Sequence, residues 1–371
     1  MRLAAIKWVH NGLAIGYHDG LPYFIKGLLP GETGDCDETK RTVKFGNAIL
    51  KKLHDSSPDR IEADCPAFPQ CGGCSFRHIT YTDELKLKKQ LLLDSLSYSI
   101  DLQQLPEIEI LSAQETNYRN NVQLKVINGE LGFFQTGTNE IIPLPENGCL
   151  NLANELNEFI LENKKGLSLS AKKEIRLRLT SKGIVEYSDA VSEFKALGFS
   201  LTVPKNGFYQ INRFLIDPWL KKIQEYSPAV KYITEFFSGA GIISLALKEH
   251  YEHLTGFELD QESVKFAERN AKTNDVKNTK FIVKNLYEQK PEIPSSAFWI
   301  FNPPRNGLNK LLISQIQDRK PEHILYSSCN YTTLARDLKE LASLYKIEKI
   351  SMFDFFPRTP YFETLVKLQK S

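Results

Sequence analysis

Five of the six cysteines fall into two arrangements that imply different chemistry. Cys65, Cys71 and Cys74 form C-x5-C-x2-C, and Cys149 follows much further on. Thiols so arranged are a ligand set for a metal centre. Structural zinc usually shows two C-x2-C pairs, whereas this chain has one such pair plus two single cysteines. Three clustered thiolates with a remote fourth suit an iron–sulfur cubane. Spacing alone leaves the two metals about equally open. Cys329 stands apart in Ile324-Leu-Tyr-Ser-Ser-Cys-Asn330, directly after an apolar run, where a nucleophile at a strand end would sit. A lone intracellular cysteine is more often a small buried residue. Here it closes a cofactor-type sheet and is followed by polar Asn330, Thr332 and Thr333, which favours the nucleophile. Cys36 has no such setting and is expected to be an ordinary cysteine.

A second group of residues suits a nucleoside cofactor. Phe236-Phe-Ser-Gly-Ala-Gly241 joins an apolar strand to a helix, and Gly239 and Gly241 let a ligand approach the backbone closely. Glu258, at the end of the next strand, suits the two hydroxyls of a ribose. The turn is shorter than the dinucleotide G-x-G-x-x-G, which favours S-adenosylmethionine, a ligand without phosphates to cradle. Phe301-Asn302-Pro-Pro-Arg305 ends a third apolar strand, and its two prolines make a rigid lip there. Asn-Pro-Pro also occurs in enzymes that methylate amino nitrogens, but those place an aromatic ring next, where this chain has Arg305. A methyl donor, a thiol and a carboxylate, Glu363, together suit one reaction. Carbon 5 of uracil is a poor nucleophile until a thiolate adds at carbon 6, and a base must then remove the carbon 5 hydrogen. The target base must leave any helical stack to be reached.

The elements that position these residues follow from pattern. At 371 residues the chain is long enough for two or three domains. Its formal net charge of +2 offers no global basic field, so any RNA site is a local patch. The start of the chain shows no signal-peptide pattern and no stretch suits a bilayer span. Six cysteines in a chain of this size are no disulfide scaffold, and a reduced, cytoplasmic protein is expected. Short β pieces over Ala4–Val9, Leu13–Tyr17 and Tyr23–Ile25, with Gly-rich turns, predict a small barrel over residues 1–55. Residues 56–200 are expected to form a central domain, with a helix near 83–98 expected to pack on the catalytic domain. Thr82 is its expected cap, and Lys86, Lys88 and Lys89 are expected on its exposed side. The alternation in Glu174-Ile-Arg-Leu-Arg-Leu-Thr180 predicts a hairpin strand with Ile175, Leu177 and Leu179 inward and Arg176 and Arg178 outward. From 201 to 371 strands and helices alternate, which predicts an α/β domain with a mostly parallel sheet.

Taken together, these motifs resemble the RNA uracil-C5 methyltransferases that make 5-methyluridine, over nearly the whole chain. The cysteines match that family's four-cysteine signature, which implies a [4Fe–4S] cluster on Cys65, Cys71, Cys74 and Cys149. Phe208-Tyr-Gln-Ile-Asn212 matches the stretch whose glutamine, Gln210, touches S-adenosylmethionine. Phe237, Gly239, Gly241, Glu258 and Asn302 fall where the family holds that cofactor. Tyr326-Ser-Ser-Cys-Asn330 with Leu334-Ala-Arg-Asp337 implies Cys329 as nucleophile, and Phe356-Pro-Arg-Thr implies Glu363 as base. The N-terminal region resembles a TRAM domain, an RNA-binding OB-type barrel, which favours 23S ribosomal RNA over transfer RNA as partner. A Rossmann-like class I methyltransferase domain and a monomer are implied. The chain departs from the family at Asn302, usually aspartate, and at Pro360-Tyr361, usually a pair containing histidine. Two alternatives are a catalytically silent RNA-binding relative and an amino-nitrogen methyltransferase.

Overall fold

The computed structural model describes residues 1–288 and 291–371. They form two compact units: residues 1–88, 114–177 and 356–361 in one, and 89–113, 178–355 and 362–371 in the other. Among the described residues no helix is long and apolar enough to cross a membrane.

The first unit opens with a six-stranded sheet whose two ends are held by one stretch of chain. Arg2–Ala4 pairs antiparallel with Thr33–Arg41, and Lys7–Val9 pairs antiparallel with Leu13–His18. Between those partners run Gly46–Asp55 and Leu21–Lys26. The first strand thus changes partner midway and closes the sheet round Leu3, Tyr23, Ile25 and Cys36. Cys36 is an apolar core residue, as expected of a cysteine without chemistry. Closure requires Gly16, because a Cβ there would lie 2.2 Å from the Ala4 carbonyl oxygen. Further on, Asn121–Ile127, Glu130–Phe134 and Ile141–Pro143 form an antiparallel meander.

The second unit is built on an eight-stranded sheet. Its order runs Thr279–Val283, Tyr251–Glu258, Val230–Phe236, Phe298–Phe301, His323–Ser328, Glu363–Lys370, Tyr345–Phe353, Ile108–Leu111. The first five are parallel, and Glu363–Lys370 lies antiparallel between two neighbours. The four residues of Phe298–Phe301 are all buried, as a strand covered on both faces must be. Phe236 stacks on Phe301 with ring centroids 4.4 Å apart. Strand order reverses at Val230–Phe236, with the following strand on one side and Phe298–Phe301 on the other. In such sheets the ligand crevice opens beyond the carboxyl ends at that reversal.

Three expectations need correction. Helix Tyr81–Ser97 is capped by Thr80, whose Oγ1 accepts from the Asp83 N–H at 3.1 Å, not by Thr82. Lys88 is fully buried, because it pairs with Glu84 one turn earlier at 2.6 Å. Arg178 also faces inward: the alternation of Glu174–Thr180 breaks there, and its guanidinium lies 4.0 Å from the Tyr187 ring centre and donates to Ser192 and Gly207.

The Lys88–Glu84 pair belongs to a buried network. Glu84 Oε1 also accepts from the backbone N–H of Arg358 at 2.7 Å. The Arg358 guanidinium donates to the carbonyls of Phe76 and Ile79 and pairs with Glu115. Glu84→Ala removes the carboxylate that pairs with the buried Lys88 ammonium. It is expected to cost about 3–5 kcal/mol in denaturant unfolding, whereas Lys86→Ala, at an exposed pair with Asp83, should leave the curve unchanged.

Candidate active site

Hydrogen-bond register lines up the expected residues along one edge of the eight-stranded sheet. Phe236 pairs with Phe257 on one side and Phe301 on the other, and Phe301 pairs with Tyr326. Each next residue therefore sits on the same rim: Glu258, Phe237, Asn302 and Ser327. Adjacent strands are about 4.8 Å apart, so Glu258 and the Cys329 strand stand roughly 14 Å apart, room for a nucleoside with its tail.

Cys329 and Glu363 meet across the antiparallel pair. The register ends with Ser328 opposite Thr364, so Cys329 follows directly after one strand and Glu363 begins the other, close enough for the Glu363 charge to act on the thiol. Ser327, two residues before Cys329, shares its face of the sheet. Its hydroxyl donates to Glu363 Oε1 at 2.6 Å and accepts from the Trp219 indole N–H at 3.2 Å. Burial pushes the Glu363 carboxyl up to about 7, and the Ser327 hydrogen bond opposes that rise. Burial also raises the Cys329 thiol, to about 11, and the nearby Glu363 charge adds to the rise.

Arg305 was not expected at the thiol, yet its guanidinium hydrogen-bonds Cys329 and favours the thiolate. Its backbone is pinned in place: the Arg305 carbonyl accepts from Asn330 Nδ2 at 3.0 Å and Thr333 Oγ1 at 3.1 Å. Asn330 also caps helix Tyr331–Leu341 through its side chain. Asp337 on that helix accepts from the Leu308 N–H and the Tyr326 hydroxyl, both at 2.7 Å. The only sequence signal for Arg305 was its place after Asn-Pro-Pro. Trp219 and Ser327 gave none.

The cofactor-type turn is shaped by backbone conformation. Phe237, Gly239 and Gly241 have φ of 62°, 53° and 83°. The Gly239 N–H donates to Glu258 Oε2 at 2.9 Å, and Glu258 Oε1 accepts from the N–H groups of Leu259 and Asp260. The carboxylate is thus aimed by three amides, with lone pairs left for hydroxyl donors. A Cβ at Gly239 would meet nothing within 4 Å, so open space lies over the turn. Gly241 instead is packed, and a Cβ there would come to 3.2 Å from Ala267 Cβ. Ser238 Oγ is buried with no hydrogen-bond partner. Open space over glycine, an aimed carboxylate and an orphaned hydroxyl fit a nucleoside-bearing methyl donor. Gln210 is buried, and its neighbour Tyr209 stacks on Phe194 at 3.6 Å. Asn302 follows the buried strand, its N–H directed at the Phe236 carbonyl at 3.4 Å.

In the first unit, Cys65, Cys71, Cys74 and Cys149 line a single cavity. Cys74 Sγ accepts from Arg77 Nε and Asn151 Nδ2, both at 3.3 Å, and Cys71 Sγ accepts from the Gly73 N–H at 3.4 Å. Lys26 Nζ donates to the Cys71 carbonyl. Donors aimed at sulfur, in a cavity otherwise walled by Phe68, Phe133 and prolines, fit a thiolate-held cluster. Among the described residues no three ligand side chains converge to hold one metal ion.

Known proteins resemble the chain along its length. Residues 295–371 match the family described as tRNA (Uracil-5-)-methyltransferase, and residues 219–331 match the methyltransferase small domain. An uncharacterized RNA methyltransferase of Leptospira interrogans serogroup Icterohaemorrhagiae serovar Lai is 37% identical, over 98% of this chain and 93% of its own length. An uncharacterized RNA methyltransferase of Aquifex aeolicus is 27% identical, over 100% of this chain and 98% of its own. The crystal structure of Pyrococcus abyssi tRNA (uracil-54, C5)-methyltransferase in complex with S-adenosyl-L-homocysteine matches 99% of both chains with a TM-score of 0.77, at 24% identity. That likeness shows an α/β Rossmann-like methyltransferase fold with a β-rich N-terminal region. The chain belongs to the S-adenosylmethionine-dependent RNA (uracil-C5) methyltransferases.

Proposed function

We propose that Cys329 is the nucleophile and Glu363 the base of uracil methylation. The observation that carries this reading is that Cys329 and Glu363 stand at the adjoining ends of two paired strands, with the Glu363 charge and Arg305 both acting on the thiol. Cys329 loses its proton to solvent water, leaving a thiolate beside Arg305 whose sulfur bonds carbon 6, so the C5–C6 double-bond electrons move onto the carbonyl system as an enolate. Gln210, Phe237, Gly239, Gly241, Glu258 and Asn302 would hold S-adenosylmethionine, whose sulfonium would give its methyl to carbon 5, the S–CH3 bonding electrons departing with S-adenosylhomocysteine as a neutral thioether. Glu363 then accepts the carbon 5 proton, and the returning electrons break the Sγ–C6 bond and restore the double bond. Arg305 favours the thiolate that burial disfavours. A carboxyl near 7 is suited to take that proton and release it again at neutral pH.

The substrate in this reading is 23S ribosomal RNA, bound by a monomer in the cytoplasm. The closed barrel within residues 1–55 supports it through its resemblance to a TRAM domain, followed by a central domain over 56–200 and the methyltransferase domain over 201–371. Transfer RNA is the second reading, favoured by the Pyrococcus abyssi protein, which shares the fold and acts by its name on tRNA. Cys65, Cys71, Cys74 and Cys149 hold a [4Fe–4S] cluster. A cubane is gripped at its corners, which suits four thiols lining one cavity.

Three outcomes test the reading. Cys329→Ala is expected to abolish methyl transfer while S-adenosylmethionine binding, measured by calorimetry, persists; Glu363→Gln is expected to accumulate a covalent RNA–protein adduct. Methylation at the normal rate by Cys329→Ala would sink the mechanism. Nucleoside mass spectrometry of fractionated RNA from cells with and without the gene should show 5-methyluridine lost from ribosomal RNA; loss from transfer RNA alone decides for the second reading. Protein purified without oxygen should carry iron and acid-labile sulfide at about four of each per chain, and Cys74→Ser should lose both. About one zinc per chain instead would overturn the cluster.

A further inference from the structure

The base has a support that the reaction scheme does not use. Trp219 on helix Ile216–Tyr226, Ser327 and Glu363 are 0%, 1% and 3% exposed, so solvent does not compete for their polar atoms. An indole N–H can only donate. Ser327 Oγ must therefore accept from Trp219, at 3.2 Å, and its own proton is directed at Glu363 Oε1, at 2.6 Å. The chain of donors runs one way, from indole to hydroxyl to carboxyl, and each bond polarises the next. A proton on Oε1 would face the serine O–H head-on. A proton on Oε2 leaves Oε1 an acceptor, whether the group is charged or neutral.

We propose that Ser327 and Trp219 are positioning residues that reserve Glu363 Oε1 and leave Oε2 as the oxygen that takes the proton from carbon 5 of the pyrimidine. This rests on Glu363 being the base. The register accounts for the arrangement: Cys329 and Ser327 share one face, and Glu363 stands at the adjoining strand end beside the first and diagonal to the second, both within side-chain reach. No proton is gained or lost along the relay itself. It acts by fixing which carboxyl oxygen is free and by holding charge on a group that burial would otherwise keep neutral.

The test uses the full-length protein and total RNA labelled with [5-³H]uridine from cells lacking the gene. Single-turnover tritium release reports loss of the carbon 5 hydrogen, and denaturing gels report adduct formation, both followed against pH. Wild-type release should rise with pH through a midpoint near 7, where Glu363 becomes the carboxylate. Ser327→Ala removes the donor to the carboxylate and should move that midpoint up by about one unit, a loss of about tenfold in release on the acid side. Release should recover at high pH, and adduct formation, which the Glu363 charge opposes by raising the thiol, should not fall with release. Trp219→Phe should shift release the same way by less, and it carries the test if Ser327→Ala does not fold. Ser327→Thr, which keeps the hydroxyl, should retain the wild-type midpoint. A wild-type midpoint in Ser327→Ala, or an equal fall in adduct formation and release, overturns the relay. Glu363→Gln separates the two ideas: normal release in that variant overturns the base itself, whereas blocked release with an unmoved Ser327→Ala midpoint overturns only the relay.

Discussion

The register between strands His323–Ser328 and Glu363–Lys370 is the constraint on which the site depends. Antiparallel pairing of Ser328 with Thr364 sets a thiol and a carboxyl on neighbouring positions of one sheet face. A slip of one residue would turn Glu363 to the opposite face. The pairing is locked by buried residues on either side, among them Leu325, Tyr326, Leu365 and Val366. Register is therefore maintained by the same apolar contacts that hold the sheet together. The parallel strands then add their own carboxyl ends to that rim, so one sheet edge carries the cofactor-type turn, Asn302 and the reacting pair.

Electrostatics impose an order on the chemistry of that pair. Negative charge on Glu363 raises the neighbouring thiol, so sulfur ionises most readily while the carboxyl is still protonated. In the proposed reaction the carboxyl must be charged later, when a carbon-bound hydrogen has to be removed. Its position near 7 makes both forms accessible at neutral pH. Arg305 brings a positive group to the thiol, its backbone held by Asn330 and Thr333 through its carbonyl. The residues flanking Cys329 thus act on it indirectly, through the backbone of a different loop.

Much of the fold was legible because buried strands announce themselves. The expected alternation of strands and helices from residue 201 onward is found, in strands such as Val230–Phe236, Tyr251–Glu258, Thr279–Val283 and His323–Ser328. Apolar runs bounded by glycine or polar turns carry that information locally. The misreadings have a common cause. Lys88 and Arg178 were placed facing water because charged residues usually do, and their compensating partners cannot be read from alternation. Glu84 shares its carboxylate with Arg358, far away in sequence. Arg305 reaches Cys329, and Trp219 reaches Ser327, through sequence separations that no periodicity records. Thr80 rather than Thr82 caps its helix because the helix starts two residues earlier than the sequence suggests.

Phe237 shows what the cofactor-type turn asks of the fold. A bulky residue at φ of 62° sits where glycine would be at ease, and such a conformation costs about 1–3 kcal/mol. Glycine there would ease the backbone but remove a ring that lies 5.7 Å from Tyr287, centre to centre. The chain keeps the ring and carries the strain. A search for more stable variants of this enzyme would therefore be drawn to position 237 first, and selection for thermostability alone would erode the wall of its own binding turn.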